Sequence, residues 1–259
     1  MTLVPRPALV SRPGNQVTAN AEIVAETGPG GSTRLPVLRS QVPLVLRRTA
    51  EAVYLVSAAA GPLGGDQLTL RITVRAGATL RLRTVAACVA LPGPDGGESL
   101  LAVTASVEQG GSLEYLPEPV VVANGARHAT DVRVAVADGA RLLLRDELIL
   151  GRHGERGGSY RGGLRVDYAG RPLLRQSLDV SGTDDTSRGP AILSGHRAAG
   201  TLLRVDPAIA TAATLAAASP AAPWVAVMPL AGGPATLTTA LAHDAVTLRH
   251  RLSAAWTAG

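Results

Sequence analysis

One short pattern, written four times, limits what this chain can fold into. Val74-Arg75-Ala76-Gly77-Ala78-Thr79-Leu80 is matched by Val107-Glu108-Gln109-Gly110-Gly111-Ser112-Leu113 and by Val136-Ala137-Asp138-Gly139-Ala140-Arg141-Leu142. A fourth copy, Asp167-Tyr168-Ala169-Gly170-Arg171-Pro172-Leu173, is degenerate. The glycines lie 33, 29 and 31 residues apart. Before the first glycine, Leu68, Leu70, Ile72 and Val74 alternate with Thr69, Arg71, Thr73 and Arg75, the period-two pattern of a strand with one buried face. After it, Leu80 and Leu82 alternate with Arg81 and Arg83. Each unit reads as strand, short Gly turn, strand, with the glycine free to take a positive φ. One such unit cannot bury its own apolar face, whereas several stacked units share a continuous core. The expected fold is mainly β: stacked β-hairpin or β-helix-like layers with a few helices, including one at the C-terminus. The competing reading is an ordinary sandwich whose hairpins merely look alike, because V-x-x-G-x-x-L is a loose pattern.

On this reading the 259 residues form one domain, with a β-stacked body over 35–180 and further strands and helices over 181–259. Ser181 to Pro190 is polar and Gly-containing and reads as a mobile loop. Pro207 to Ala218 opens with Asp206 and Pro207, an N-cap and first-turn pair that suits a short helix. Ala245, Leu248, Leu252 and Trp256 recur at helical spacing from a start near His243 or Asp244, where an acid complements the helix dipole.

Composition serves mainly to exclude. All 25 basic residues are Arg, so there is no Walker A lysine, no Schiff-base lysine and no Ser–Lys pair. The single cysteine, Cys88, rules out an internal disulfide, a CxxC pair and a Cys-rich zinc or iron–sulfur site. With no Phe, four Tyr and two Trp, a base-stacking surface for single-stranded nucleic acid is disfavoured. The formal charge of +5 invites a nucleic-acid reading, but most of it sits between Arg141 and Arg175, where eight Arg face four acids. A solvated face is the plain interpretation, a surface for an acidic partner the next, and DNA the third, since no recognition helix is evident. Pro207 to Ala242 carries no charge, yet Pro220, Pro223, Pro229 and Pro234 interrupt it. Trp224 to Met228 has the length of a buried strand, so no transmembrane helix is expected. The first 14 residues, broken by Arg and Pro, lack the apolar run of a signal peptide.

No nucleophile elbow, complete G-x-G-x-x-G or H-E-x-x-H occurs. His128, His153, His196, His243 and His250 show no close metal-ligand pairing, and Cys88 reads as a small buried hydrophobe. Three stretches stand out. Gly61-Pro62-Leu63-Gly64-Gly65-Asp66 precedes the Leu68 strand and reads most simply as a turn held by an Asx hydrogen bond. Leu113-Glu114-Tyr115-Leu116-Pro117-Glu118-Pro119 reads as a Pro-terminated strand. Asp146 to Glu155 places adjacent acids at the end of the Leu142–Leu144 strand, followed by a charged Gly-rich loop. Each stretch puts carboxylates near an edge of a repeat unit. Stacked layers could align them along one channel, where oxygen ligands pass a divalent cation without trapping it.

These stretches, in this order, resemble the urease accessory protein UreD (UreH) family. The marks are G-P-L-G-G-D at 61–66, Leu82 to Ala87, L-E-Y-L-P-E-P at 113–119 and G-R-H-G-E at 151–155, with a final helix over Ala242 to Trp256. The resemblance covers 35–180 well and the tail loosely; the first 30 residues carry little of it. After Thr84 the run Ala86-Ala87-Cys88-Val89-Ala90 departs from the family's more polar pattern. The resemblance implies a cytoplasmic, non-catalytic urease maturation factor that works with UreF, the GTPase UreG and the urease apoprotein. Nickel would be a cargo in transit through an internal polar tunnel, with no tightly bound cofactor, no nucleic acid and no membrane. By motif match, Asp66, Thr84, Glu114, Glu118, Asp146 and Glu147 are the candidates for metal contact or tunnel lining. Arg152, His153, Glu155, Arg156 and Arg161 are the candidates for partner contact. Two other classes stay open: a small-molecule enzyme on a β scaffold using Asp146 and Glu147, and an Arg-rich nucleic-acid binder. Neighbouring strand residues point to opposite faces, which counts against the first.

Overall fold

Each of the first three repeat units turns a corner between two sheets. In the computed structural model, which describes residues 16–209 and 223–257, strands β5 (Gln67–Val74), β8 (Ser99–Val107) and β11 (Arg127–Val136) lie side by side in one sheet. Their continuations β6 (Thr79–Thr84), β9 (Ser112–Leu116) and β12 (Arg141–Leu150) lie in the other. All these neighbours pair in parallel, so the units are arches of a β-solenoid. The glycine spacing is the register. Thr79 pairs with Ser112 and Ser112 with Arg141, offsets of the same 33 and 29 residues that separate the turn glycines. Gly77, Gly110 and Gly139 hold φ of +68°, +68° and +73°, and the turns stack closely enough that a Cβ on Gly110 would lie 3.8 Å from the Cα of Gly77.

The degenerate fourth copy is a true hairpin. β13 (Ser159–Tyr168) and β14 (Arg171–Ser181) pair antiparallel within the first sheet and close its end. At the other end β1 (Thr18–Thr27) pairs in parallel with β5 and antiparallel with β2 (Thr33–Arg39). The second sheet begins with β3 (Leu44–Arg48) and β4 (Val53–Ser57). It continues past β12 through β15 (Ala198–Val205), β17 (Ala235–Ala242) and the edge strand β16 (Val225–Leu230). Two three-residue strands, β7 (Cys88–Ala90) and β10 (Val120–Val122), form a further parallel step. β12 is long enough to serve both levels: Arg141 to Leu144 pair with β9, and Leu148 to Leu150 with β10.

Apolar side chains of both sheets fill the space between them, chiefly Leu, Val, Ile and Ala; Tyr115 and Tyr160 are the buried aromatics. The burial of β5 alternates strictly, as its sequence dictates. The C-terminal helix, here α2 (Ala245–Thr257), lies on the outer face of the second sheet. It buries Leu248 and Leu252 against Leu143, Ile149, Leu202 and Ala240. Full burial of each such leucine contributes about 1.5–3 kcal/mol. Asp244 caps α2, accepting from the backbone N–H of Thr247 at 2.8 Å.

Three local expectations change. The Ser181–Pro190 segment contains a one-turn helix, α1 (Asp185–Arg188), because Asp184 accepts hydrogen bonds from the N–H groups of Thr186 and Ser187. β16 is a half-exposed edge strand, with Ala226 and Met228 facing solvent; Pro229, which lacks an N–H, is tolerated there. The acids Asp146 and Glu147 lie in the middle of β12, which does not end before them. The helix expected over Pro207–Ala218 falls mostly on 210–222, outside the described residues, as does the side chain of Trp256. No helix among the described residues is long and apolar enough to cross a membrane.

Candidate functional site

The Pro117-Glu118-Pro119 kink splits the second sheet, and charged side chains gather at the split. β9 stops at Leu116 and β10 starts at Val120, while β12 runs past both. Arg145 fills the gap. Its guanidinium donates to the carbonyl oxygens of Leu116 at 3.3 Å and Pro117 at 2.8 Å, satisfying acceptors where the ladder is interrupted. Beside it, on the outer face, Glu147 is wholly enclosed, forms an ion pair with Arg145 at 3.4 Å and accepts from Arg249 of α2 at 2.5 Å. Arg249 also pairs with both oxygens of Glu118 at 3.1 Å, and Arg145 reaches Glu118 at 3.4 Å. Hydrogen bonds to Glu147 are the first cause that raises the Arg249 pKa, whereas burial lowers that of Arg145. The same face carries Glu114, held by Arg83 at 2.6 Å and Arg81 at 3.6 Å. Thr84 accepts the N–H of Glu118 at 2.8 Å. Glu114, Glu118 and Glu147 therefore share one face, each neutralised by arginine, while Thr84 touches its edge through the Glu118 backbone.

Asp146 points the other way, into a cleft of about 470 Å³ between the sheets. The cleft is bounded by β12, β13, β14 and the β15–β17–β16 extension, and its lining includes Leu148, Tyr160, Gly162, Gln176, Thr201 and Trp224. The half-buried Asp146 makes no hydrogen bond or ion pair among the described residues. Burial, then the charge of Glu147, push its carboxyl up to about 6. Gln176 Oε1 is enclosed without a hydrogen-bond partner, and the enclosed Tyr160 hydroxyl lies against Thr130. Gly162 makes room for the Tyr160 ring, since a Cβ there would stand 2.7 Å from Tyr160 Cε1. Nearby, buried His128 bonds Ser99 Oγ through Nδ1 at 2.8 Å, and burial drops its pKa to about 4.

Asp66 lies apart from both groups. Its buried carboxylate accepts the N–H groups of Val17 at 2.8 Å and Leu63 at 2.9 Å, tying β1 to the start of β5. Its turn stacks on the next coil: Gly64 donates to the Leu91 carbonyl at 3.0 Å, and a Cβ on Gly64 would stand 2.4 Å from the carbonyl oxygen of Gly97. Backbone contact at that distance explains Gly64, and positive φ of +120° and +99° explains Gly61 and Gly65. The six candidates thus occupy three places: the outer charged face, the inter-sheet cleft and the β5 entrance.

The β12–β13 loop is internally tied. Glu155 pairs with Arg152 at 2.5 Å and accepts the N–H groups of Arg152 and Asn124, which together hold its carboxyl down near 2. His153 is exposed between them. Arg156 reaches Asp185 of α1 at 3.3 Å, and Arg161 on β13 pairs with Glu98 at 2.5 Å. Of the eight arginines from Arg141 to Arg175, seven stand in ion pairs, so the local excess of positive charge is met by acids from elsewhere in the chain.

Sequence reasoning found the carboxylates of the outer face but not Arg83, Arg145 and Arg249. For Arg81 a signal existed, since adding the glycine spacing of 33 lands on its partner Glu114. It also missed a ring stack: His196 and His243 lie face to face at 4.3 Å, with Trp224 against His196 at 4.5 Å. Parallel rings aim their in-plane lone pairs side by side, a poor geometry for chelation. No group of three or more His, Cys, Asp or Glu among the described residues could hold a metal ion. Cys88 is buried enough that its thiol rises to about 11.

The family model described as UreD urease accessory protein matches residues 17–258, beginning before the stretch where the motifs are dense and taking in β1 and the C-terminal strands. Among curated relatives, urease accessory protein UreD of Frankia alni is 47% identical, covering 92% of each chain. Urease accessory protein UreD of Parafrankia sp. is 44% identical, over 91% of this chain and 86% of its own. Urease accessory protein UreD 3 of Streptomyces griseus subsp. griseus is 45% identical, over 92% and 95%.

Proposed function

This chain belongs to the UreD family of urease accessory proteins, and from that premise we propose that it is a non-catalytic scaffold of urease maturation. In this reading it works in the cytoplasm with UreF and the GTPase UreG and helps deliver nickel to the urease apoprotein. Nickel is cargo here, moving through the inter-sheet cleft that Asp146 faces. The observation that supports a route there is Asp146, whose carboxylate faces the inter-sheet cleft without an ion pair while Glu114, Glu118 and Glu147 are each occupied by arginine. A lone carboxylate among neutral oxygens offers a divalent ion few ligands, which suits passage better than retention. The arginine-tied β12–β13 loop, with exposed His153, is a rigid candidate for partner contact. An acid–base pair at Asp146 and Glu147 is disfavoured, because the two side chains face opposite sides of the sheet. An Arg stripe for phosphates is disfavoured by the seven ion pairs.

Deleting the gene in the source cell and measuring urease activity at limiting nickel tests this reading. The expected result is inactive, nickel-poor urease, restored when the gene is returned. Urease activity unchanged by the deletion would overturn it. Co-purification of the tagged chain with UreF and UreG is the companion measurement.

A further inference from the structure

The groups left unsatisfied in the inter-sheet cleft have a common character. Asp146 supplies one negative charge without an ion-pair partner among the described residues. Gln176 donates through Nε2 to Thr201 Oγ1 at 3.4 Å, which leaves the enclosed Oε1 as a free acceptor. Tyr160 stands beside them, fully buried, with its hydroxyl turned to Thr130. No arginine lines the space. Around these groups stand Leu148, Leu164, Leu178, Ile192, Leu241 and Trp224. Apolar walls with a few convergent polar groups, at a volume of about 470 Å³, are the usual form of a small-ligand site. An unpaired carboxylate in such walls is poorly solvated and gains from a cation delivered with its own apolar cover.

From this complementarity we propose that the cleft binds a monocationic guanidinium or ammonium group carried on an aliphatic stem. One carboxylate matches one positive charge. Several N–H donors match the carboxylate and the Gln176 carbonyl together, and the stem covers the leucine wall. A free alkylguanidine or alkylamine has this chemistry, and so does an arginine or lysine side chain of a partner protein. The proposal goes beyond nickel delivery. Binding is read on the chain alone without nickel, and urease activation is read without the organic cation, so either can fail by itself.

The test titrates the full chain at pH 7.5 with n-butylguanidinium, with neutral n-butylurea and with a blocked Gly-Arg-Gly peptide. Calorimetry gives affinity, and the side-chain amide resonances of Gln176 report location. The expected result is saturable binding of n-butylguanidinium that shifts the Gln176 resonances and weakens at least tenfold in Asp146→Asn. The urea should bind at least tenfold more weakly than the guanidinium. Binding of the blocked peptide as well assigns the site to a partner's side chain, and binding of n-butylguanidinium alone assigns it to a small molecule. Either outcome supports the chemistry. Absence of saturable binding, unchanged affinity in Asp146→Asn, or resonance shifts that leave Gln176 untouched would each overturn it; the last is read on the wild-type chain and does not depend on the variant folding.

Discussion

Arg249 reaches back 102 residues to Glu147, gripping both carboxylate oxygens at 2.5 to 3.2 Å and fastening the C-terminal helix to the middle of β12. The same guanidinium holds Glu118 at the proline kink, so one side chain joins the helix, the central strand and the split in the sheet.

Removing that guanidinium strands a wholly enclosed carboxylate with only Arg145 beside it. Arg249→Met is expected to cost about 3 kcal/mol, the lower end for breaking a buried pair because Arg145 remains. Replacing both partners, Glu147→Met with Arg249→Met, removes the orphaned charge and is expected to recover most of the loss, leaving Glu118 paired with Arg145. Urea unfolding midpoints of the two single variants and the double variant check this. Additive losses would show that the pair is not a coupled unit.

Two interior groups act on stability in opposite directions over the same pH range. Asp146 rises from 3.8 to about 6 on folding, so the folded state is penalised above pH 6 and the penalty lifts as pH falls toward 3.8. His128 drops from 6.5 to about 4, so its neutral form is favoured in the fold and stability is lost as pH falls from 6.5 toward 4. Each effect is of order 3 kcal/mol by linkage, and together they leave these two contributions nearly flat. Asp146→Asn removes one side of the balance. It should be more stable than the parent at pH 7.5 and lose that advantage, and then stability itself, on acidification. His128→Gln should show the reverse slope. Parallel pH profiles for parent and variants would contradict the assignment.

Much of the fold could be read from four glycines because a solenoid repeats its geometry. Once Gly77 stacks on Gly110, the strands flanking the two turns are placed by adding the spacing, and ion pairs such as Arg75 with Glu108 and Arg81 with Glu114 follow at the same offset of 33. The fourth copy broke the rule because its strands pair with each other in one sheet, a choice made by the end of the stack and not by the pattern around Gly170. The outer charged face was half visible. Glu114, Glu118 and Glu147 stood out as carboxylates, but Arg249 arrives from a helix whose sequence gives no register against β12. The cleft was not visible at all beyond Asp146. Tyr160, Gln176 and Thr201 come from strands outside the three regular coils, and nothing in their spacing brings them together.

The G-P-L-G-G-D turn gives a test of stacking alone. A methyl group on Gly64 meets the Gly97 carbonyl oxygen at 2.4 Å and the Gly93 nitrogen at 2.7 Å, backbone atoms that cannot turn aside as a side chain would. Gly64→Ala is expected to destabilise by about 1–3 kcal/mol through overpacking. Gly96→Ala, where nothing lies within 4 Å, is expected to cost only the strain of its positive φ, +65°. Thermal midpoints should fall further for Gly64→Ala. Equal midpoints would mean that the two coils do not touch at this corner.

Asp66 and Asp146 differ in how their oxygens are used, and that difference tests the proposed nickel route. Asp66 spends both oxygens on backbone N–H groups, and losing them leaves buried donors unsatisfied at about 1–3 kcal/mol. Asp66→Leu is therefore expected to lower the thermal midpoint and to reduce urease activation only as far as the amount of folded protein falls. Asp146→Leu removes the one cleft carboxylate that no arginine neutralises and places a branched apolar side chain among Leu148, Leu178 and Leu241. Its fold is expected to persist, since a half-buried carboxylate without an ion pair is replaced by an apolar group. UreF and UreG should still co-purify, while nickel incorporation into urease falls at least tenfold. The measurement is metal content and activity of urease purified beside each variant, normalised to the soluble amount of this chain. Full nickel loading with folded Asp146→Leu would remove the cleft from the nickel route, whereas loss of loading with folded Asp66→Leu would return the β5 entrance to it.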